Sequence, residues 1–449
     1  MSKKNLITKS VVSILLLSVT SCYKINEDSS TYTFFEAPTN YELKLMLVNG
    51  NYYSANTPET CREINNWNLI NVTNLDYLFA GKTQFNCNIG NWDIRNVTSM
   101  KNMFDGATLF NQSIATWNIA NVTDLSGVFR NATLFNQPIN NWNTKKVTTM
   151  ANLFNGALNF NQSLNSWDVS NVKNMNFLFA NLSTLSIQFS DWTITNVTSM
   201  DYMFEGVKTF STSIPTINTS KVTSMQGLFK DSHIPSQLKN QIELWDVSLV
   251  TNMSRMFENI PTFNLKITQW NTNNLNDISY LFSGVQHFDN SISTLNISNV
   301  QTLEGVFSGC NLFNQSINAW DTSNTTSMKK LFNGATSFNQ SLSGWDTQNV
   351  QTMDNMFAFA INFNQEINTW NVSNVTNMSG MFQFTNNFNQ PLNSWNTSTV
   401  TDMSFMFNQA TNFDQDISSW TVTKTTLCNN FSSNISAANK PSFTNCSTD

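Results

Sequence analysis

The residues best equipped for chemistry are few, and most fall into a repeating register. Cys61 and Cys87 lie in neighbouring repeats at one end, and Cys428 and Cys446 flank the last repeat. Either pair could form a disulfide that staples an end of a stacked array, although spacing alone leaves the connectivity open. Cys310 occupies a slot filled by alanine elsewhere, as at Ala107, Ala157 and Ala335, and reads as a small buried hydrophobe. Asp93, Asp168, Asp321 and Asp346 share one slot with Asn118, and such a row could in principle hold calcium or sugar hydroxyls. Asparagine dilutes the acids, so a solvated face is the simpler reading. Glycosidic hydrolysis would want carboxylates clustered on one face, and no such cluster is evident. The two histidines, His233 and His287, stand in different registers. No Cys/His ligand set, glycine-rich phosphate loop or nucleophile elbow is present. The expectation is a non-enzyme with no metal and no cofactor.

What must position these residues is a 25-residue period. Trp67, Trp92, Trp117, Trp142, Trp167 and Trp192 begin it, and Trp245, Trp270, Trp320, Trp345, Trp370, Trp395 and Trp420 continue it. Ile217 and Leu295 fill the two slots without tryptophan, giving fifteen repeats. A unit this short cannot bury its own core and must stack on its neighbours.

With the tryptophan slot numbered zero, slot −3 is Ile or Leu (Ile64, Ile89, Leu164), with Phe189 as the exception, and slot +2 is nearly always β-branched (Ile94, Thr144, Val169). This pattern predicts a short strand, one per repeat and always in the same direction, hence a parallel sheet. Apolar residues at +8, +11, +12 and +15 follow the i, i+3, i+4, i+7 stripe of a short helix, with Thr or Ser before it as an N-cap and Gly or Asn at +14 to end it. A Phe-Asn-Gln turn comes next, as at Phe110-Asn111-Gln112. Its stacked asparagines are expected to hydrogen-bond from rung to rung. The tryptophans share this inward pattern, so they are expected to be core.

Composition limits the partners. Only 12% of residues are charged, the net charge is −6, and no basic stripe exists to neutralise phosphates, so nucleic acid is not an expected partner. Residues 1–21 combine Lys3, Lys4 and Lys9 with the apolar run Val11 to Val19, which reads as a signal peptide too short to span a bilayer. The run ends in Val19-Thr20-Ser21-Cys22, which resembles the lipobox of bacterial lipoproteins and makes Cys22 the candidate lipidation site. Two or three acyl chains there would anchor the chain stably.

Residues 345–365 and 370–390 carry the motif Trp-Asp-Val-Ser-Asn-Val-Thr-x-Met-x-x-Met-Phe-x-x-Ala-x-x-Phe-Asn-Gln nearly intact. This repeat resembles the BspA-type leucine-rich-repeat surface proteins, and in particular the mycoplasma-type lipoprotein repeat, a domain of unknown function. The resemblance covers residues 61–431 and implies surface exposure and, for some members, adhesion to host proteins or other cells. The expected fold is therefore an α/β solenoid, a leucine-rich-repeat-like right-handed array of strand–short helix repeats. Its expected parts are a signal peptide (1–21), a lipidated flexible tether (22–40), a cap hairpin (41–60), the repeats (61–431) and a C-terminal cap or tail (432–449). A three-residue insertion around His233-Ile234-Pro235 reads as a bulged loop. The expected role is a lipid-anchored protein on the outer face of a membrane, binding a protein or cell-surface partner. A passive or antigenically variable coat is the alternative, and an exported polysaccharide-acting enzyme a more distant one.

Overall fold

The computed structural model describes residues 23–25, 32–34, 39–40, 43, 57–263 and 265–448. Its regular elements are few: strands β1 (Tyr23–Ile25) and β2 (Tyr32–Phe34), helix α1 (Pro58–Asn65), strands β3 (Thr184–Leu185) and β4 (Thr209–Phe210), and helix α2 (Ser236–Glu243). The chain divides into two compact units, Met1–Val172 with Ser186–Trp192, and Lys173–Leu185 with Thr193–Asp449. No helix among the described residues is long and apolar enough to cross a membrane. Cys22 and most of the expected cap hairpin lie outside the described residues. Within the expected tether, β1 and β2 pair antiparallel, with Tyr23 opposite Phe34.

In each unit, tandem repeats meet through parallel backbone pairing. Asn74, Ser99, Asp124 and Thr149 bridge in succession in the first unit, and a longer series runs from Asn174 through Asp277 and Thr352 to Leu427 in the second. Strands β3 and β4 add a short parallel pairing of Thr184 with Thr209 and Leu185 with Phe210. The longest runs of bridges fall at slot +7 of every rung.

This placement corrects the expected strand–helix unit. The segment around tryptophan is a pair of turns, as in Trp92 N–H to Ile89 O at 3.2 Å and Val97 N–H to Ile94 O at 2.9 Å. The segment from +8 to +15 is not a helix. Its amides divide their bonds: Leu78, Ala80 and Lys82 donate three residues back within the rung, while Leu75, Tyr77, Phe79 and Gly81 donate to Ser99, Lys101, Met103 and Asp105 of the next, at 2.6–3.0 Å. Left-handed residues at +10 and +14, such as Asn102 (φ 53) and Gly106 (φ 69), interrupt any helix and turn alternate N–H groups outward. Consecutive turns bury residues at the same three- and four-residue spacings as a helix, so apolar periodicity could not separate the two.

The core consists of aromatic columns. In the first unit Trp67, Trp92, Trp117, Trp142, Trp167 and Trp192 stack ring on ring at 6.1–6.5 Å. In the second the +12 phenylalanines form an unbroken column from Phe229 to Phe407. Each such ring removes about 150–250 Å² from water. The indole adds a specific bond: Trp92 Nε1 donates to Ile64 O at 2.7 Å, and the same bond from Trp to slot −3 of the preceding rung recurs through Trp420 to Leu392 O at 3.0 Å. That carbonyl already accepts the turn amide of its own rung, so the indole fills its second lone pair. Ile217 and Leu295 keep the burial without the bond.

The first rung of the first unit and the last rung of the second are closed by side chains and by neighbouring segments of the chain. In the second rung Thr98 N–H donates to Thr73 O at 2.9 Å. For Thr73 the acceptor is Asn40 Oδ1, which accepts from Thr73 N–H at 2.8 Å and Asn74 N–H at 3.1 Å. Helix α1 opens with Thr57 as N-cap and Pro58 in its first turn, supplies the buried Ile64, and is joined to the next rung by the Cys61–Cys87 disulfide. At the other end Cys428 bonds Cys446, and Asn430 N–H donates to Thr448 O at 3.0 Å. Backbone edges that would invite pairing with another chain are thereby covered.

The insertion before Trp245 keeps His233-Ile234-Pro235 irregular, as expected, and runs straight into a helix. It is absorbed by α2, which buries Leu238 and Ile242, because a helix advances only about 1.5 Å per residue against about 3.3 Å for extended chain. The adjustment leaves a defect: Trp245 Nε1 is buried without a hydrogen-bond partner.

This contrast gives a paired test. Trp370→Phe removes the 3.2 Å bond to Leu342 O and should lower unfolding free energy by about 1 kcal/mol beyond the packing loss. Trp245→Phe removes an unpaired donor whose burial costs about 1–3 kcal/mol and should be distinctly less harmful. Urea unfolding of the two variants measures the difference; equal losses would show that the indole bond contributes nothing.

Candidate interaction face

Most polar rows on the surface are committed to the fold. The Phe-Asn-Gln asparagines form the expected ladder: Asn86 Oδ1 accepts Asn111 N–H at 2.9 Å and Gln112 Nε2 at 3.1 Å, and Asn339 does the same for Asn364 and Gln365. Asparagines at +4 donate to the +3 carbonyl of the preceding rung, as Asn121 does to Arg95 O at 2.9 Å. Side chains at +7 accept the +9 amide, as in Ser279 N–H to Asp277 Oδ1 at 2.8 Å. These rows are structural.

The aspartate row resolves likewise. Asp321 accepts the N–H and hydroxyl of Ser323 at 3.0 and 2.6 Å, and Asp346 accepts Gln348 N–H at 3.0 Å. Asn118 makes the equivalent bond to Ala120 N–H. Each acid closes its own turn. The Ser170 hydroxyl, then its amide, holds Asp168 below the usual carboxylate range, and Ser323 does so for Asp321. The Arg95 side chain lowers Asp93. Among the described residues no three His, Cys, Asp or Glu side chains are grouped to hold a metal ion. Cys310 is fully buried, its thiol donates to Phe282 O at 3.0 Å, and burial pushes its pKa well up.

One group of residues that depart from the repeat on the surface lies in the second unit, around the left-handed slot +10. Asn or Gly holds this slot in Asn102, Gly127, Asn152, Gly227, Gly305, Asn355, Gly380 and Asn430; larger residues hold it at Tyr77 (φ 62), Lys330 (φ 53) and Phe405 (φ 58), and at Phe177 (φ 57), Tyr202 (φ 55), Arg255 (φ 60) and Tyr280 (φ 57), which lie within five successive rungs. Bulky residues in this conformation cost on the order of 1–3 kcal/mol each, and such cost concentrates where function requires it. Their side chains run along the rungs. Phe177 stacks on Tyr202 at 4.7 Å, and the Arg255 guanidinium lies over the Tyr280 ring at 4.4 Å. Tyr202 in turn covers Gly227, where a Cβ would meet its ring at 2.2 Å, and Tyr280 covers Gly305.

Charged neighbours knit these groups together. Lys230 pairs with Glu205 at 2.7 Å and Asp231 at 3.0 Å; Arg255 pairs with Glu258 at 2.8 Å. Tyr280 Oη donates to Glu304 at 2.7 Å, and Lys329 reaches Glu304 at 3.7 Å and Asp354 at 4.0 Å. Burial, then the bond to Glu304, pushes Tyr280 up to about 12, so it remains a neutral donor. The result is a continuous edge of half-buried aromatic and paired charged groups on an otherwise amide-rich surface. Its signal was present in the sequence as Phe177, Tyr202, Arg255 and Tyr280 close together in a slot that Asn or Gly holds in about half of the rungs. It could be interpreted only once that slot was known to be left-handed and outward.

A family model described as a Mycoplasma protein of unknown function, DUF285, matches residues 49–157, 138–237, 232–345 and 326–445. No curated protein matches the chain.

The lowered aspartates carry a pH prediction. Their folded pKa values lie below the ordinary 3.8, so their contribution is present above about pH 4 and is lost as pH falls through the folded values. Asp168→Asn with Asp321→Asn keeps the turn bond, as Asn118 does. The double variant should match the parent's melting temperature near neutrality and lose less of it between about pH 5 and pH 3. An unchanged acid profile would refute this origin of acid sensitivity.

Proposed function

The chain belongs to the DUF285 family of Mycoplasma proteins, and we propose that it is a lipid-anchored surface protein that binds a macromolecular partner, without enzymatic activity, metal or cofactor. In this reading the stacked rungs of each unit are solenoid, residues 1–21 direct export, and acylated Cys22 holds the chain at the outer face of the membrane. The observation that carries the binding role is the Tyr202–Asp354 edge. Aromatic and arginine side chains are the groups that dominate protein interfaces, and here they lie side by side with paired charges along successive rungs. The low charge content and absence of a basic stripe favour a protein over nucleic acid. The edge favours adhesion over a passive coat, which needs no such cluster.

Two experiments test the halves of this reading. Cys22→Ala should move the protein from the membrane fraction to the soluble fraction or leave it unprocessed; persistence of processed protein on membranes would remove the anchor. Arg255→Ala with Tyr280→Ala should weaken adhesion of protein-coated beads to target cells by at least about tenfold, since interface anchors of this kind commonly contribute 2 kcal/mol or more. Adhesion unchanged in that variant, with its thermal unfolding intact, would favour the coat.

A further inference from the structure

A second departure from the repeat lies at slot +6. That slot is threonine in most rungs, and its hydroxyl is used up on the preceding rung's carbonyl, as in Thr123 Oγ1 to Thr98 O at 3.3 Å. In the second unit Asn276, Gln301 and Gln351 replace it in three of four successive rungs, with Thr326 between them. These side chains line one wall of a groove of about 860 Å³. The facing wall is the +4 row Asn299, Asn324 and Asn349. Between the rows run the buried +5 residues, including Val300 and Val350.

The groups on the two walls are not all committed to the fold. Asn299, Asn324 and Asn349 each use Nδ2 on a carbonyl of the preceding rung, at 2.7–2.9 Å, which leaves Oδ1 as an acceptor with no donor among the described residues. Among the described residues the side-chain amides of Asn276, Gln301 and Gln351 have no hydrogen-bond partner, so each keeps two donor hydrogens and an acceptor. The chemistry of the lining restricts the ligand. Asp277 is the one ionisable side chain on the groove, and it is engaged by Ser279, so an ion of either sign meets no complement. No aromatic or aliphatic side chain lines it, so an apolar ligand meets none either. What remains is a ligand rich in hydroxyl groups that donate and accept in alternation. The walls also repeat once per rung, at the ~4.8 Å spacing of hydrogen-bonded strands, which is close to the rise of one pyranose in an extended linear glycan.

We propose that the groove spanning Asn276 to Gln351 binds a linear neutral glycan, one sugar unit per rung across four rungs. The binding is independent of the Tyr202–Asp354 edge proposed above. Long amides at +6 are what convert a closed threonine ladder into an open row of donors and acceptors, so the site is confined to these rungs. In the other rungs slot +6 is threonine, except for Lys173.

Calorimetric titration of the full chain with linear β-1,4 oligomers of glucose, N-acetylglucosamine and galactose, two to six units long, tests this. In at least one series affinity should rise with length to four units and then level off. Gln301→Thr with Gln351→Thr restores the consensus residue and so preserves the fold; it should lower affinity at least tenfold. Arg255→Ala should leave glycan binding unchanged while impairing cell adhesion, which separates failure of this site from failure of the adhesive edge. No binding in any of the three series, binding retained in the threonine variant, or binding confined to anionic oligosaccharides and abolished by salt would each overturn the proposal.

Discussion

A rung of this protein cannot satisfy its own backbone. Between slots +8 and +14 alternate amides point out of the rung and find their acceptors in the next one, while the +6 amide takes a carbonyl of the preceding one. Unpaired, they would be buried polar groups, each costing about 1–3 kcal/mol. The remaining rows follow from this dependence. The +7 side chains take the +9 amides, the +4 asparagines and the indoles take carbonyls that the ladder misses, and the Phe-Asn-Gln asparagines take the amides of the outer turn. The 25-residue period is the shortest description of a hydrogen-bond circuit that closes only between neighbours.

The same dependence explains why so little of the surface is free. Rows that look like ligand sites in the sequence, the aspartates at +1 above all, are turn closures. Sites must arise where the repeat is broken, and breaks are affordable only where the circuit tolerates them. Slot +10 tolerates a side chain because it points outward, at the cost of a left-handed backbone. Slot +6 tolerates Gln for Thr because the threonine hydroxyl duplicates a backbone bond already made: Thr123 reaches Thr98 O with both its N–H, at 2.9 Å, and its hydroxyl.

Much of this was legible in the sequence and some was not. The tryptophan spacing gives the rungs, their number and the burial of Trp, Phe and Met, and the Phe-Asn-Gln triplets give the amide ladder. The type of local structure was misread. Apolar residues at +8, +11, +12 and +15 suit a helix, and what excludes one is the left-handed conformation at +10, a slot that admits Phe177, Arg255 and Tyr280 as well as glycine. The Tyr202–Asp354 edge was hidden for the same reason, because residues distant in the chain become neighbours only in the true register. The insertion before Trp245 was visible as extra length, but nothing marked it as helical beyond the buried pair Leu238 and Ile242.

The two ends of the array differ in kind from its middle. Asn40 presents a side-chain amide where a preceding rung would present a carbonyl, and the C-terminal segment folds back to close the last rung. Within each unit the regular rungs are interchangeable at their borders, since each offers its successor the same groups that it takes from its predecessor. Whole repeats can therefore be gained or lost by recombination within the gene without exposing an edge, provided the event is internal. Such a gene could change the reach of its product, and the position of its irregular rungs along it, in single steps, while truncation at either end would leave a half-made circuit.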